Sequence, residues 1–186
     1  VAGAGDVDGD GYTDVIVGAP YYDAGENNEG AAFVFRGSAA GIASADPGTA
    51  AAQLESDQVD AYLGYAVAGA GDVNADGYAD LIVGAWQYDA GETDEGAAFV
   101  FRGSPIGIAD GDPGTAAARL ESDQAGAYLG ASIAGAGDVD GDGHADVIVG
   151  APYYDGGEGA AFVFRGGASG IEGDDPGTAA TRLASD

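Results

Sequence analysis

Short apolar runs, separated by glycine, proline and acidic residues, set the rhythm of this chain, and they return in register. Leu81-Ile82-Val83-Gly84-Ala85 is an apolar run of strand length, matched by Val15-Ile16-Val17-Gly18-Ala19 and by Val147-Ile148-Val149-Gly150-Ala151. A second run, residues 96–103 around Phe99-Val100-Phe101, recurs from Gly30 and from Gly159. Upstream, residues 62–70 are small and apolar and include Gly64 and Gly69, which suits an inner strand packed closely against its neighbours. Downstream, Asp112-Pro113-Gly114 fits a turn, with proline fixing φ and glycine free to take positive φ, and residues 115–121 predict an outer strand. The alanines there also suit a helical turn, but the four-strand unit around them favours a strand. One unit therefore predicts four strands and no helix.

The units repeat. Acidic loops open at Asp6, Asp72 and Asp138, a period of 66 residues (72 − 6 and 138 − 72), and the similarity runs far outside them. In the third copy the segment after Tyr153-Tyr154-Asp155 is shorter, which marks an exposed loop whose length is free to vary. Four strands in a repeat of this length make the blade of a β-propeller, in which each sheet buries its faces against adjacent blades. A β-solenoid is the rival architecture, but its coils are shorter. The chain is thus expected to be all-β, with four antiparallel strands per blade: blade 1 at residues 1–57, blade 2 at 58–123 and blade 3 at 124–186.

Each acidic loop alternates oxygen-bearing residues, bends at a glycine and closes on an aspartate, which is a cradle for a hard cation, calcium above all. In the first, Asp6, Asp8, Asp10 and Asp14 are expected to ligate through side chains and Tyr12 through its carbonyl. The second offers Asp72, Asn74, Asp76, Asp80 and the carbonyl of Tyr78; the third Asp138, Asp140, Asp142, Asp146 and that of His144. One Ca²⁺ per repeat gives three per chain. Asn74 keeps an oxygen but drops a charge, so the second site should be the weakest. An EF-hand needs glutamate at loop position 12, and valines 17, 83 and 149 stand there, which excludes an opening switch of that kind. Magnesium fits less well, because it demands tight octahedral geometry.

A formal charge of −27, from 32 acids against 5 lysines and arginines, leaves no basic face for nucleic acid or an anionic membrane. The 46% hydrophobic fraction and strict periodicity nonetheless argue for a folded chain. No apolar stretch is long enough to span a bilayer. With no cysteine, there is neither a disulfide nor thiol chemistry. Calcium loops favour an extracellular or cell-surface setting, since weak oxygen sites, with dissociation constants on the order of 10⁻⁴ to 10⁻³ M, fill only where calcium is abundant.

These motifs resemble the FG-GAP repeats of integrin α-chain propellers and their bacterial relatives. Gly18-Ala19-Pro20 and Gly150-Ala151-Pro152 stand for the family's Gly-Ala-Pro, Leu63-Gly64 and Leu129-Gly130 for its Phe-Gly, and the nine-residue acidic loop lies between them. The resemblance implies a propeller whose hairpins hold Ca²⁺. Leucine replaces phenylalanine and Trp86 replaces one proline. It does not carry integrin-type recognition, which involves a second subunit that nothing in this chain matches.

No serine–histidine or cysteine–histidine pair can be assembled, and Gly3-Ala4-Gly5 lacks a phosphate-loop lysine, so no catalytic residue is expected. His144, the single histidine, is expected to face solvent. Trp86 beside Tyr88 is expected at the surface, where aromatics can stack on sugars. The acidic, aromatic segments 21–29 and 87–95 are the best candidates for ligand contact, against the plainer reading of solvated loops or a second cation site. Segments 55–58 and 121–124 read as blade-to-blade connections whose side chains satisfy turns. Aligned with the later copies, blade 1 lacks about nine residues, read as the first half of its inner strand, and three blades fall short of a closed ring. The expected partner is therefore a second copy completing six blades, or the rest of a longer propeller, with a protein or glycan as ligand. The sequence favours a calcium-stabilised, non-enzymatic binding or adhesion module. A self-assembling structural subunit, as a closed ring or a filament, and an accessory domain of a secreted hydrolase are the alternatives.

Overall fold

The computed structural model describes residues 1–184. Twelve strands form three four-stranded antiparallel sheets in simple meander order. Blade 1 contains β1 (Ala2–Gly5), β2 (Asp14–Ala19), β3 (Ala31–Phe35) and β4 (Ala52–Glu55). Blade 2 contains β5 (Ala66–Gly71), β6 (Asp80–Ala85), β7 (Ala97–Phe101) and β8 (Ala118–Glu121). Blade 3 contains β9 (Ser132–Gly137), β10 (Asp146–Ala151), β11 (Ala160–Phe164) and β12 (Thr181–Ala184). The four-residue helical turn Tyr154–Gly157 is broken by left-handed Asp155 and Gly156, so it acts as a loop. Among the described residues no helix is long and apolar enough to cross a membrane.

The blades stack face to face through two apolar layers. Ile16, Val34 and Leu54 of blade 1 meet Leu81, Val83, Phe99 and Phe101 of blade 2 in one layer. In the other, Ile82, Val100 and Leu120 meet Val147, Val149, Phe162 and Phe164 of blade 3. Period-two alternation explains the division, because Leu81 and Val83 point one way from β6 and Ile82 the other. Every residue of β6 and β7 is accordingly buried, whereas β9 and β12 are largely exposed.

The inner strands β1, β5 and β9 line up at the hub, and their glycines set the spacing. A Cβ on Gly69 would lie 2.9 Å from the Gly3 carbonyl oxygen, and one on Gly135 2.7 Å from that of Gly69. Backbone approach this close needs glycine. The outer edge of β4 is covered by the loop before β8, where Glu55 N–H donates to Gly111 O (3.0 Å) and Gly111 N–H to Gln53 O (3.0 Å). This protects an otherwise open strand edge.

Two strand expectations need correction. The inner strand of blade 2 begins at Ala66, not at residue 62. Residues 58–65 instead form a latch that lies on the β2–β3 hairpin of blade 1. There Asp60, Tyr62 and Leu63 N–H groups donate to the Asn27, Asn28 and Glu29 carbonyls at 2.9, 3.1 and 2.9 Å. Left-handed Asp60, Tyr62 and Gly64 prevent a continuous strand. The outer strand starts at Ala118, because residues 113–115 form a turn in which Asp112 caps the Gly114 and Thr115 amides. The 55–58 and 121–124 connections act as expected: Ser56 Oγ donates to Glu29 O (2.8 Å) and Ser122 Oγ to Glu95 O (3.0 Å).

Candidate metal centres

Each acidic loop joins the first two strands of its blade, and its own amides shape it. In the first, Asp6 Oδ1 accepts from Asp10 N–H (3.0 Å) and Oδ2 from Gly11 N–H (2.9 Å), while Asp10 Oδ1 accepts from Tyr12 N–H (2.9 Å). The second repeats this with Asp72 accepting from Asp76 and Gly77, and Asp76 from Tyr78. The third does so with Asp138 accepting from Asp142 and Gly143, and Asp142 from His144.

The fully buried aspartates that close the loops have a task the sequence did not disclose. Asp14 Oδ2 accepts from Val7 N–H (2.9 Å) and Oδ1 from Gly37 N–H (2.7 Å), so one carboxylate ties the loop to the end of β3. Asp80 binds the Val73 and Gly103 amides, and Asp146 those of Val139 and Gly166, in the same way. The second amide lies some twenty residues downstream, beyond the reach of a local motif. Burial pushes the Asp80 carboxyl up to about 6, and the two amides oppose that rise only in part.

Oxygen atoms of Asp6, Asp8 and Asp14 lie within 4.8 Å of one another, as do those of Asp138, Asp140 and Asp146. Ligands on opposite sides of a calcium ion bound at roughly 2.4 Å stand roughly 4.8 Å apart, so both groups fit that ion. Asp10 and Asp142 lie outside these two groups, and each accepts a loop amide. The second loop supplies no such trio of carboxylates, in keeping with Asn74, and it carries a further handicap. Ala75 adopts φ +56° where Gly9 and Gly141 stand in the other loops, a conformation that strains a side-chain-bearing residue. The carbonyls of Tyr12, Tyr78 and His144 belong to the same loops. His144 is less solvent-facing than expected, with a side chain only 19% exposed and Nδ1 3.2 Å from Asp142 Oδ1.

Arginines overlie two of the loops. Arg36 Nε stands 3.3 Å from Asp8 Oδ2 and Arg165 Nε 3.1 Å from Asp140 Oδ2, while in the second repeat, which carries Arg102, the third loop position is neutral Asn74. Arg36 also donates to the Ile106 carbonyl and Arg102 to that of Ser169, each in the following blade.

The β2–β3 loops and the latches emerge at the opposite end of the strands. Their aromatic side chains form a row across all three blades. Ring centroids are 5.5 Å apart for Tyr21–Tyr62, 5.9 Å for Tyr62–Trp86, 5.0 Å for Trp86–Tyr128 and 5.4 Å for Tyr128–Tyr153. Tyr65 adds a side contact to Trp86 at 5.3 Å. Tyr62 and Tyr128 hold positive φ (55° and 57°), and the buried Trp86 Nε1 has no hydrogen-bond partner. Residues 21–29 and 87–95 are ordered from within. Glu29 Oε1 accepts from the Ala24, Gly25 and Glu26 amides at 2.6, 2.5 and 3.0 Å, and Glu95 Oε1 from those of Ala90 and Glu92. These glutamates are buried and organise their loops from within.

The FG-GAP repeat family matches residues 1–35, 63–101 and 129–164, more than half of the chain. Among curated proteins, the chain is 36% identical to integrin alpha pat-2 of Caenorhabditis briggsae over 78% of its length and 36% identical to integrin alpha-6 of Gallus gallus over 78%. It is 34% identical to integrin alpha-PS5 of Drosophila melanogaster over 87%. The chain spans 12%, 12% and 15% of those relatives.

Proposed function

This chain belongs to the FG-GAP repeat family, and from that premise we propose that it is a calcium-stabilised, non-enzymatic propeller module for adhesion or binding at the cell exterior. The observation that carries the reading is the convergence of three carboxylates within 4.8 Å in both the first and third loops, each at the same place in its blade. Calcium bound there would neutralise mutual repulsion among the aspartates and stiffen the β1–β2 and β9–β10 hairpins. Asp6, Asp8 and Asp14 would hold the first ion, Asp138, Asp140 and Asp146 the third, and Asp72, Asn74 and Asp80 a weaker second. The integrin alpha relatives support an adhesive role and an extracellular or cell-surface location. The far greater length of those relatives supports a place within a longer propeller.

Ligand contact is assigned to the aromatic row, on the face away from the ions. Its rings stand among carboxylates such as Asp60, which lies 3.3 Å from the Tyr62 hydroxyl. Stacking rings beside hydrogen-bond acceptors suit a glycan or the polar surface of a protein.

Calorimetric titration of the chelator-treated chain with CaCl₂ tests the metal reading. Three binding events are expected, the weakest lost in D72A, and an absence of saturable binding would overturn it. Binding to immobilised matrix proteins and glycans tests the ligand face: capture by wild type and loss in W86A are expected, and equal capture of both refutes it.

A further inference from the structure

Asp8 and Asp140, the third residues of the first and third acidic loops, are engaged at both oxygens by the protein itself. Asp8 Oδ1 accepts from Asp10 N–H (3.2 Å), and Arg36 Nε stands 3.3 Å from Oδ2. Asp140 Oδ1 accepts from Asp142 N–H (3.2 Å), and Arg165 Nε stands 3.1 Å from Oδ2. The Asp8 side chain is left only 9% exposed. One device sets both arginines in place. The residue after each, Gly37 or Gly166, gives its amide to the closing aspartate of the loop, Asp14 or Asp146, at 2.7 and 2.8 Å. The end of the third strand thereby delivers a guanidinium to the carboxylates of its own blade.

Among the described residues the second loop has no such ion pair. Asn74 stands at its third position and turns inward, with Nδ2 donating to Asp76 Oδ2 at 2.9 Å, while Arg102 reaches the Ser169 carbonyl in the next blade. Arg36 makes both kinds of contact, to Asp8 and to the Ile106 carbonyl of blade 2. The chain thus carries an internal comparison, with an arginine on the third-position residue where that residue is charged and none where it is neutral.

A neutral amide and a metal ion can share a carboxylate oxygen, which has two lone pairs. A guanidinium cannot be shared on those terms. It carries a full positive charge, so a cation entering beside it must displace it or work against its repulsion. Without the ion, the same charge offsets the repulsion among three aspartates whose oxygens lie within 4.8 Å. We propose that Arg36 and Arg165 are tethered counter-cations that hold the metal-free first and third loops together and compete with calcium for Asp8 and Asp140. They set these two sites to a lower affinity than the carboxylates alone would give. The inference rests on the calcium reading above and goes beyond it by assigning the residues that tune two of the sites. Because Arg36 also holds the Ile106 carbonyl, its release from Asp8 bears on the seam between blades 1 and 2 as well.

The test titrates CaCl₂ into the intact chain, freed of chelator, in low-salt buffer, and follows the amides of Gly11, Gly77 and Gly143 by NMR so that each loop reports separately. Arg36→Gln should tighten the first site about fivefold and leave the others unchanged, and Arg165→Gln should do the same for the third. Arg36→Lys and Arg165→Lys keep the charge and should bind close to wild type, and Arg102→Gln should leave the second site as it is. The gain should fade in high salt. In EDTA, the Gly11 amide of Arg36→Gln and the Gly143 amide of Arg165→Gln should exchange faster than in wild type. The Arg165 variants test the inference without touching the seam of blades 1 and 2, should Arg36→Gln disturb it. Calcium binding by wild type, with equal or weaker binding in a glutamine variant that keeps the wild-type fold, overturns the inference and leaves the metal reading standing. No saturable binding in any of the chains overturns both.

Discussion

The amide of Ala79 donates to the carbonyl of Asp6 at 2.9 Å, and Ala145 repeats the bond to Asp72 at 2.9 Å. The first residue of the first and of the second acidic loop is therefore also an anchor for the next blade. Val7 and Val73 add parallel bonds, accepting from Ser104 at 3.1 Å and Gly167 at 3.0 Å. An ion that orders a loop should thus order the seam beside it. On EDTA treatment, amide hydrogen exchange at Ala79 and Ala145 should accelerate, while Phe99 at the centre of blade 2 stays protected. Uniform acceleration at all three would show that the loops act on the whole fold and not on the seams.

Asp14 and Asp10 sit four residues apart in one loop, yet their replacement should have opposite signatures. Asp14→Ala strands two buried amides, at a cost of about 2–4 kcal/mol even in EDTA. Asp10→Ala loses only exposed loop bonds and should change stability by less than about 1 kcal/mol. Chemical denaturation with and without calcium measures both.

In the metal-free chain the folded state holds a proton on Asp80 up to about pH 6, above the usual carboxylate range. Folded Asp80 binds that proton more tightly than the unfolded chain does, so this contribution to stability is present at low pH and is lost as pH rises through about 6. Calcium bound at the second loop, as proposed, would favour the carboxylate and reverse the trend. Denaturation midpoints in EDTA should fall between pH 4 and 6 (roughly the span from unfolded to folded pKa) and flatten in Asp80→Asn, whereas with calcium they should rise.

Gly84→Ala drives a methyl against the Gly130 backbone and should destabilise by about 1–3 kcal/mol. Gly150→Ala, at the same place in the next repeat, meets mainly a movable serine and should cost less than about 1 kcal/mol. Thermal melts of the two variants compare a glycine pressed against the next repeat's backbone with one beside a side chain.

The central strands were readable because Leu81-Ile82-Val83 and Phe99-Val100-Phe101 combine β-branched or aromatic residues with near-exact repetition. The inner strand was less so. Residues 62–65 look apolar enough for a strand, but Tyr62 turns left-handed to meet carbonyls on a different blade. The acidic loops were visible from spacing, since carboxylates at alternate positions have few other uses. The second task of Asp14 was not, because Gly37 is 23 residues away in sequence. Nor could spacing show that Glu29 gathers the amides of its own loop, or that Tyr21, Tyr62, Trp86, Tyr128 and Tyr153 from separate segments form one row.

Gly3, Gly69 and Gly135 at the hub place one blade's backbone almost directly on the next. The pitch of the stack is therefore fixed by main-chain van der Waals radii, which every sequence shares. Side chains at the rim can drift through mutation while the curvature stays constant. A duplicated blade thus inherits the correct angle at once, and its exposed loops are left free to diverge.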